Sequence, residues 1–191
     1  MGRRTQEGET LEQYKQRMID PISESYCAAK WYNATIWLGH GQTASCHHPP
    51  GHWIPLEELK DNYTAIHNTK HKKLMRKYMQ EGKRPAECEY CWKVEDMGKN
   101  HVSDRTFKTE IFKDEDVHKS AEMPWDENVM LRTLEISFDR PCNFSCSYCN
   151  PAFSTAWVKD INTYGGYQNI QSDGRGHFVD TADWAKPAAK H

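Results

Sequence analysis

The sequence has no apolar run near the roughly 20 residues that a membrane-spanning helix requires, and its mean hydropathy is −0.92. Its first ten residues, MGRRTQEGET, lack the apolar core of an export signal, so the paired arginines are not read as one. Position 6 is Gln6 rather than Ser or Thr, which excludes the myristoylation pattern. Excess charge is also missing. The 25 basic and 27 acidic residues leave −2, too little to draw the whole chain to nucleic acid or a membrane surface. There are no internal repeats and no low-complexity tracts. What remains is a chain expected to be cytoplasmic and folded, because aromatic residues at 12% exceed what disordered segments carry.

Cysteine, by contrast, is plentiful, with seven in 191 residues. In a reducing compartment such cysteines are metal ligands more often than disulfides. The odd count agrees, since full pairing would leave one over.

Periodicity divides the chain. Residues 1–20 read as a polar arm, helical or loose. Residues 34–46 read as two short strands around a turn at Gly39 and Gly41. The segment HHPPGHW, residues 47–53, is irregular because Pro49 and Pro50 prevent regular pairing. Helices are expected at 55–60, from an Asn68 N-cap to Gln80, and at 114–123 before Pro124. In the second of these, Leu74, Met75, Tyr78 and Met79 make the apolar face. The basic residues of KHKKLMRK, 70–77, are assigned to the solvated one. Residues 133–139 alternate Leu134, Ile136 and Phe138 with polar residues, the clearest strand. A domain boundary is placed at 124–132. A further helix is expected around 154–165, with no clear strand beyond it.

The motif RPCNFSCSYCNP, residues 140–151, follows that strand. Its spacing is C-x3-C-x2-C, through Cys142, Cys146 and Cys149. Thiolates are the usual ligands of iron–sulfur clusters. Three of them on a four-iron cluster leave one iron open, as catalytic metal sites keep a position open. The motif, with Tyr148 before its last cysteine, resembles the radical S-adenosylmethionine (SAM) superfamily, where it follows the first strand of a β/α barrel. The resemblance implies a [4Fe–4S] cluster on Cys142, Cys146 and Cys149, SAM chelated by the open iron, and Tyr148 beside the adenine. It also implies reductive cleavage of SAM to a 5′-deoxyadenosyl radical. An electron donor such as a flavodoxin or ferredoxin and a peptide or protein substrate belong to the same expectation.

Four cysteines remain. Cys88 and Cys91 form a C-x2-C knuckle, and Cys27 and Cys46 flank the expected hairpin. Two such pairs suit either zinc or an all-cysteine [4Fe–4S] cluster. The stretch from Tyr26 to Arg105 is similar to the twitch domain, a shortened SPASM domain that holds an auxiliary cluster in some radical SAM proteins. The likeness lies in Tyr26–Cys27, the hairpin ending at Cys46, the helix running into MQEGKRPAEC, the segment CEYCWKVEDMG, and Ser103 and Arg105. Related proteins carry Pro soon after the first cysteine; here AAKW follows. The resemblance implies a second, four-cysteine [4Fe–4S] cluster; Trp92, next to Cys91, is read separately as a shield against water. His47, His48 and His52 are read either as extra or substitute metal ligands or a proton relay, or as a solvated turn.

The expected architecture is therefore an α+β cysteine-ligated cluster domain, 21–124, followed at 133–191 by the first β/α elements of a radical SAM barrel. The family's Gly-Gly-Glu segment has no counterpart, since Gly165–Gly166 is followed by Tyr167. This leads to the expectation that the chain is the N-terminal part of a longer protein. The competing expectation is a zinc-stabilised binding module without catalysis.

Overall fold

The computed structural model describes residues 5–98, 101–138, 141–147, 149, 151, 153–165, 170–172 and 178–180. It divides into two units, Met1–Ser137 and Phe138–His191. The division falls after the strand at 133–137, whereas the sequence placed it at 124–132.

The N-terminal segment is not a free arm. Helix α1 (Leu11–Tyr14) begins in a capping box: Gln13 N–H donates to Thr10 Oγ1 at 3.2 Å, and Thr10 N–H to Gln13 Oε1 at 2.8 Å. Together these satisfy backbone donors that the helix itself cannot. The chain continues through a π-helical turn, Lys15–Ile19. Tyr14, Met18 and Ile19 are buried in the core with Tyr26, Trp31, Tyr32, Met79, Trp92, Phe112 and Val117. Spacing of i, i+4 and i+5 supplies the apolar stripe that the polar composition hides.

Helix α2 (Ala29–Tyr32) leads directly into β1 (Asn33–Trp37). A short 3₁₀ turn and Gly41, with φ of 63°, return the chain as β2 (Gln42–Ala44). Gly41 thus takes the left-handed conformation, which suits a residue without a Cβ. The next strand, β3 (His52–Trp53), pairs antiparallel with β2. Strand β4 (Thr133–Ser137) pairs in parallel with β1, so the sheet order is β3-β2-β1-β4. Asn33 faces Thr133 and Thr35 faces Glu135 in register. Thr35 Oγ1 donates to Glu135 at 3.1 Å. The strand expected to open a barrel is therefore the edge of the first unit's sheet, and Leu134 stands 52% exposed.

The connection between β1 and β4 carries most of the helices. These are α3 (Leu56–Asp61), α4 (Lys70–Gln80), α5 (Glu89–Asp96), α6 (Asp104–Glu110) and α7 (Asp114–Glu122). Asp114, Glu115 and Asp116 in the first turn of α7 complement its N-terminal dipole. Helix α6 has no counterpart in the sequence expectation. Helix α4 is capped by Thr69, whose Oγ1 accepts from Lys72 N–H at 3.1 Å, rather than by Asn68.

The buried face of α4 also differs from expectation. Lys72, Met75, Arg76 and Met79 point inward, while Leu74 is exposed. That stripe is i, i+3, i+4, i+7, and it places two basic residues inside. Arg76 resolves this by donating to Lys30 O at 3.0 Å, Glu127 O at 3.0 Å and Asn68 Oδ1 at 2.9 Å. Lys72 Nζ donates to Asn33 O at 2.6 Å. Buried charge is tolerated only with such partners.

In the second unit, helix α8 (Thr155–Tyr164) is capped by Ser154, whose Oγ accepts from Trp157 N–H. Two short strands, β5 (Ile170–Ser172) and β6 (Phe178–Asp180), pair antiparallel, where no strand was expected. No helix among the described residues is long and apolar enough to cross a membrane.

Candidate metal centre

Cys27, Cys46, Cys88 and Cys91 line one cavity of the first unit. Each arrives by a different local device. Cys27 precedes α2, and Cys46 follows β2 where the Pro49–Pro50 segment ends regular pairing. Cys88 is the N-cap residue of α5 and Cys91 lies in its first turn. Three of the four, Cys27, Cys88 and Cys91, belong to the hydrophobic core.

Burial raises all four thiols. Cys27 is pushed up to about 12 by burial and by the neighbouring Cys46, Cys88 and Cys91. Cys91 is pushed up to about 11 by burial, against the pull of Ser103 and the Arg105 backbone. Unligated, the set holds its protons, so a metal that binds thiolate must displace them.

The cavity is also lined by cations: Lys30, Arg105 and Lys108. Lys30 is 2% exposed and forms an ion pair with Glu87. Burial disfavours the Lys30 charge, but Cys88 and Glu87 outweigh it and hold the ammonium above its ordinary value. Trp92 lines the cavity, fixed by donation from Nε1 to Pro85 O at 2.8 Å.

Helix α6 builds the wall. Arg105 is 2% exposed and grips Glu95 through Nε at 2.6 Å and a terminal nitrogen at 2.8 Å. Its remaining nitrogen donates to Tyr26 O at 2.7 Å. Thr109 Oγ1 accepts from Ala28 N–H at 3.1 Å, a bond that proline at position 28 would have no proton to make. The residues on both sides of Cys27 are thus held by α6. Burial alone would raise the Glu95 carboxyl, but Arg105 and Ser103 bring it below its ordinary value. Thr109 is the functional neighbour that sequence reasoning missed; it lies one turn beyond Arg105, a helical spacing that would have pointed to it.

The three histidines separate. His47 is 56% exposed and does not line the cavity, and Cys27 leaves it no vacant place as a substitute. His48 does line it, with Asp104. His52 lies apart, its Nε2 2.8 Å from Thr69 Oγ1 and its ring 4.3 Å from His71. Burial, then His71, pushes His52 down to about 4. The unfolded chain therefore takes up a proton between about pH 6.5 and 4 that the folded chain refuses, and stability falls as pH falls through that window. Denaturant midpoints measured across it should fall less steeply for His52→Gln, by up to about one proton. His67, lowered by burial in the same direction, sustains the remaining slope.

In the second unit, Cys142 N–H donates to Thr155 Oγ1 at 3.0 Å, and Ala156 N–H to Cys142 O at 3.2 Å. Trp157 Nε1 donates to Cys146 O at 2.9 Å, and Cys149 N–H to Cys146 O at 2.9 Å. The cysteine loop is thereby moored to the first turn of α8. Cys142 is exposed and Cys146 and Cys149 partly so. Tyr148, expected beside adenine, lies outside the described residues, as do Gly166 and Tyr167.

Among the described residues, one group of three or more His, Cys, Asp or Glu has ligand atoms within 4.8 Å of one another, and it contains no cysteine. The donor chemistry of both cysteine sets, thiolates only, fits an iron–sulfur cluster, and four thiolates also suit zinc. No family model, no curated protein and no solved structure matches this chain.

Proposed function

We infer that this chain is an iron–sulfur protein of the radical SAM type, carrying an auxiliary cluster in addition to the SAM-cleaving one. The observation that carries the reading is the first cavity: four cysteines from three separate segments, gathered around one space lined by basic side chains. Four thiolates on a [4Fe–4S] cluster would leave net negative charge, in a cavity lined by Lys108 and by the ion-paired Lys30 and Arg105. Cys27, Cys46, Cys88 and Cys91 would hold this cluster. The Lys30 ammonium near Cys88 would help to tune the cluster's potential. Trp92 limits water access.

Cys142, Cys146 and Cys149 would hold the other cluster, on a loop rigidified by Thr155 and Trp157. That cluster, when bound, would supply the electron for reductive cleavage of SAM, with the role at the adenine falling to Tyr148 by its place in the motif. The reading further includes a flavodoxin or ferredoxin as electron donor, a peptide or protein substrate, and cytoplasmic placement, where cysteines stay reduced.

Anaerobic reconstitution followed by iron, sulfide and zinc analysis tests it. Both clusters should assemble, and replacing Cys142, Cys146 and Cys149 together with alanine should remove about half of the iron and sulfide. A colourless protein that binds zinc and no sulfide would overturn the reading in favour of a zinc module. Formation of 5′-deoxyadenosine from SAM and dithionite, lost in the triple variant, tests the catalytic half separately.

A further inference from the structure

The group of ligand atoms within 4.8 Å that contains no cysteine is His47, His48 and Asp104. We propose that these three residues form a mononuclear site for one divalent cation of the zinc, cobalt or iron(II) class, distinct from both cysteine sets. The site stands whether the cysteines hold a cluster or zinc.

Consecutive side chains on a strand point to opposite faces, so His47 and His48 reach one carboxylate only because the chain is irregular there. Pro49 and Pro50 make it so. His48 Nε2 lies 3.0 Å from Asp104 Oδ2 and His47 Nε2 lies 3.7 Å from the same oxygen. Ligands on a tetrahedral ion with bonds of about 2.0–2.1 Å stand about 3.3 Å apart, and the two distances bracket that value. The His48 ring is stacked on Tyr90, centroids 3.9 Å apart and 14° from parallel. Its plane is therefore set by a residue between Cys88 and Cys91. Asp104 is the first residue of α6, so the carboxylate sits on a rigid element.

Two imidazoles and one carboxylate suit borderline divalent ions rather than calcium or magnesium, which take oxygen ligands. With His47 56% exposed and Asp104 27% exposed, three protein ligands leave the remaining positions open to solvent, the arrangement of catalytic rather than structural sites. Lys108, one turn along α6, opposes a cation here, and its flexible stem allows it to turn away; Arg105 is turned to Glu95 and Tyr26. A bound ion would tie the segment after Cys46 to α6 at the rim of the cysteine cavity.

Anaerobic Co²⁺ titration of the full chain tests this, comparing wild type with His47→Ala and Asp104→Asn. The first variant removes an exposed side chain, and the second keeps an acceptor for His48, so both retain the fold. Wild type should bind one more Co²⁺ per chain than either variant, or bind it at least tenfold more tightly. The difference spectrum should lack thiolate-to-cobalt charge transfer. Equal stoichiometry and affinity in all three proteins would overturn the proposal. So would a difference spectrum with thiolate charge transfer, which would make His47 part of the cysteine site. Iron and sulfide content after reconstitution, measured on the same variants, reports on the cluster reading independently and should be unchanged.

Discussion

Replacing Arg105 with alanine is expected to destabilise the first unit by about 3–5 kcal/mol, the cost of breaking a buried ion pair by removing one partner. The guanidinium is 2% exposed and Glu95 is 8% exposed at its side chain, so water does not rescue the carboxylate left behind. Three groups lose a donor together: Glu95 Oε1, which keeps only Ser103, Glu95 Oε2 and the carbonyl of Tyr26. At about 2–4 °C per kcal/mol for a chain of this size, the melting temperature should fall by roughly 6–20 °C. Arg105→Lys should recover little of the loss, because an ammonium cannot present the fork that meets Glu95 and Tyr26 at once. Glu95→Gln should cost less than Arg105→Ala, since the amide oxygen still accepts. Thermal unfolding by circular dichroism checks the series. A melting temperature for Arg105→Ala within 2 °C of wild type, roughly 1 kcal/mol or less, would mean that the pair does not brace the fold.

Replacing Cys27 with alanine should abolish loading of the first cavity while leaving the second cysteine set intact. Iron and sulfide per chain should fall by about half. Because ligation is linked to folding, the free energy of binding adds directly to stability, and for structural metal sites it reaches on the order of 10 kcal/mol. The loaded wild type should therefore be far more stable than the variant, and chelation should nearly erase the gap. In the metal-free proteins only the packing of one sulfur differs, a loss of about 1 kcal/mol. Denaturant unfolding before and after chelation separates the two contributions. A gap of equal size in both states would show that Cys27 acts through packing alone.

Local pattern made several features legible. The Cys88–Cys91 knuckle, the cysteine triplet, the hairpin around Gly41, and the helices over 70–80, 114–122 and 155–164 all follow from spacing, caps and breakers within a few residues. The alternation at 133–137 marked a strand. It did not mark its partner. A parallel neighbour one hundred residues away, Asn33 to Thr133, leaves no trace in periodicity, because pairing depends on how the intervening helices pack.

The same distinction explains the misread face of α4. Adjacent positions on a helix differ by about 100°, so composition alone turned Leu74 and Tyr78 inward and the basic residues out. The structure turns Lys72 and Arg76 in instead, because carbonyls from Lys30, Asn33 and Glu127 converge there to receive them. The burial of Tyr14, Met18 and Ile19 was likewise not legible, since three apolar residues at helical spacing matter only once a core exists to receive them.

By itself, the sequence determined the ligand chemistry: seven cysteines, their groupings, and the histidines and prolines after Cys46. The tertiary structure decided which groups meet. It gathered Cys27, Cys46 and the knuckle around one cavity, walled that cavity with α6, and brought Asp104 to His47 and His48 across 56 residues. The physical reason is that spacing along a chain constrains only what a single turn or hairpin can reach. Burial of a shared core brings distant segments together and sets the distances at which their side chains act.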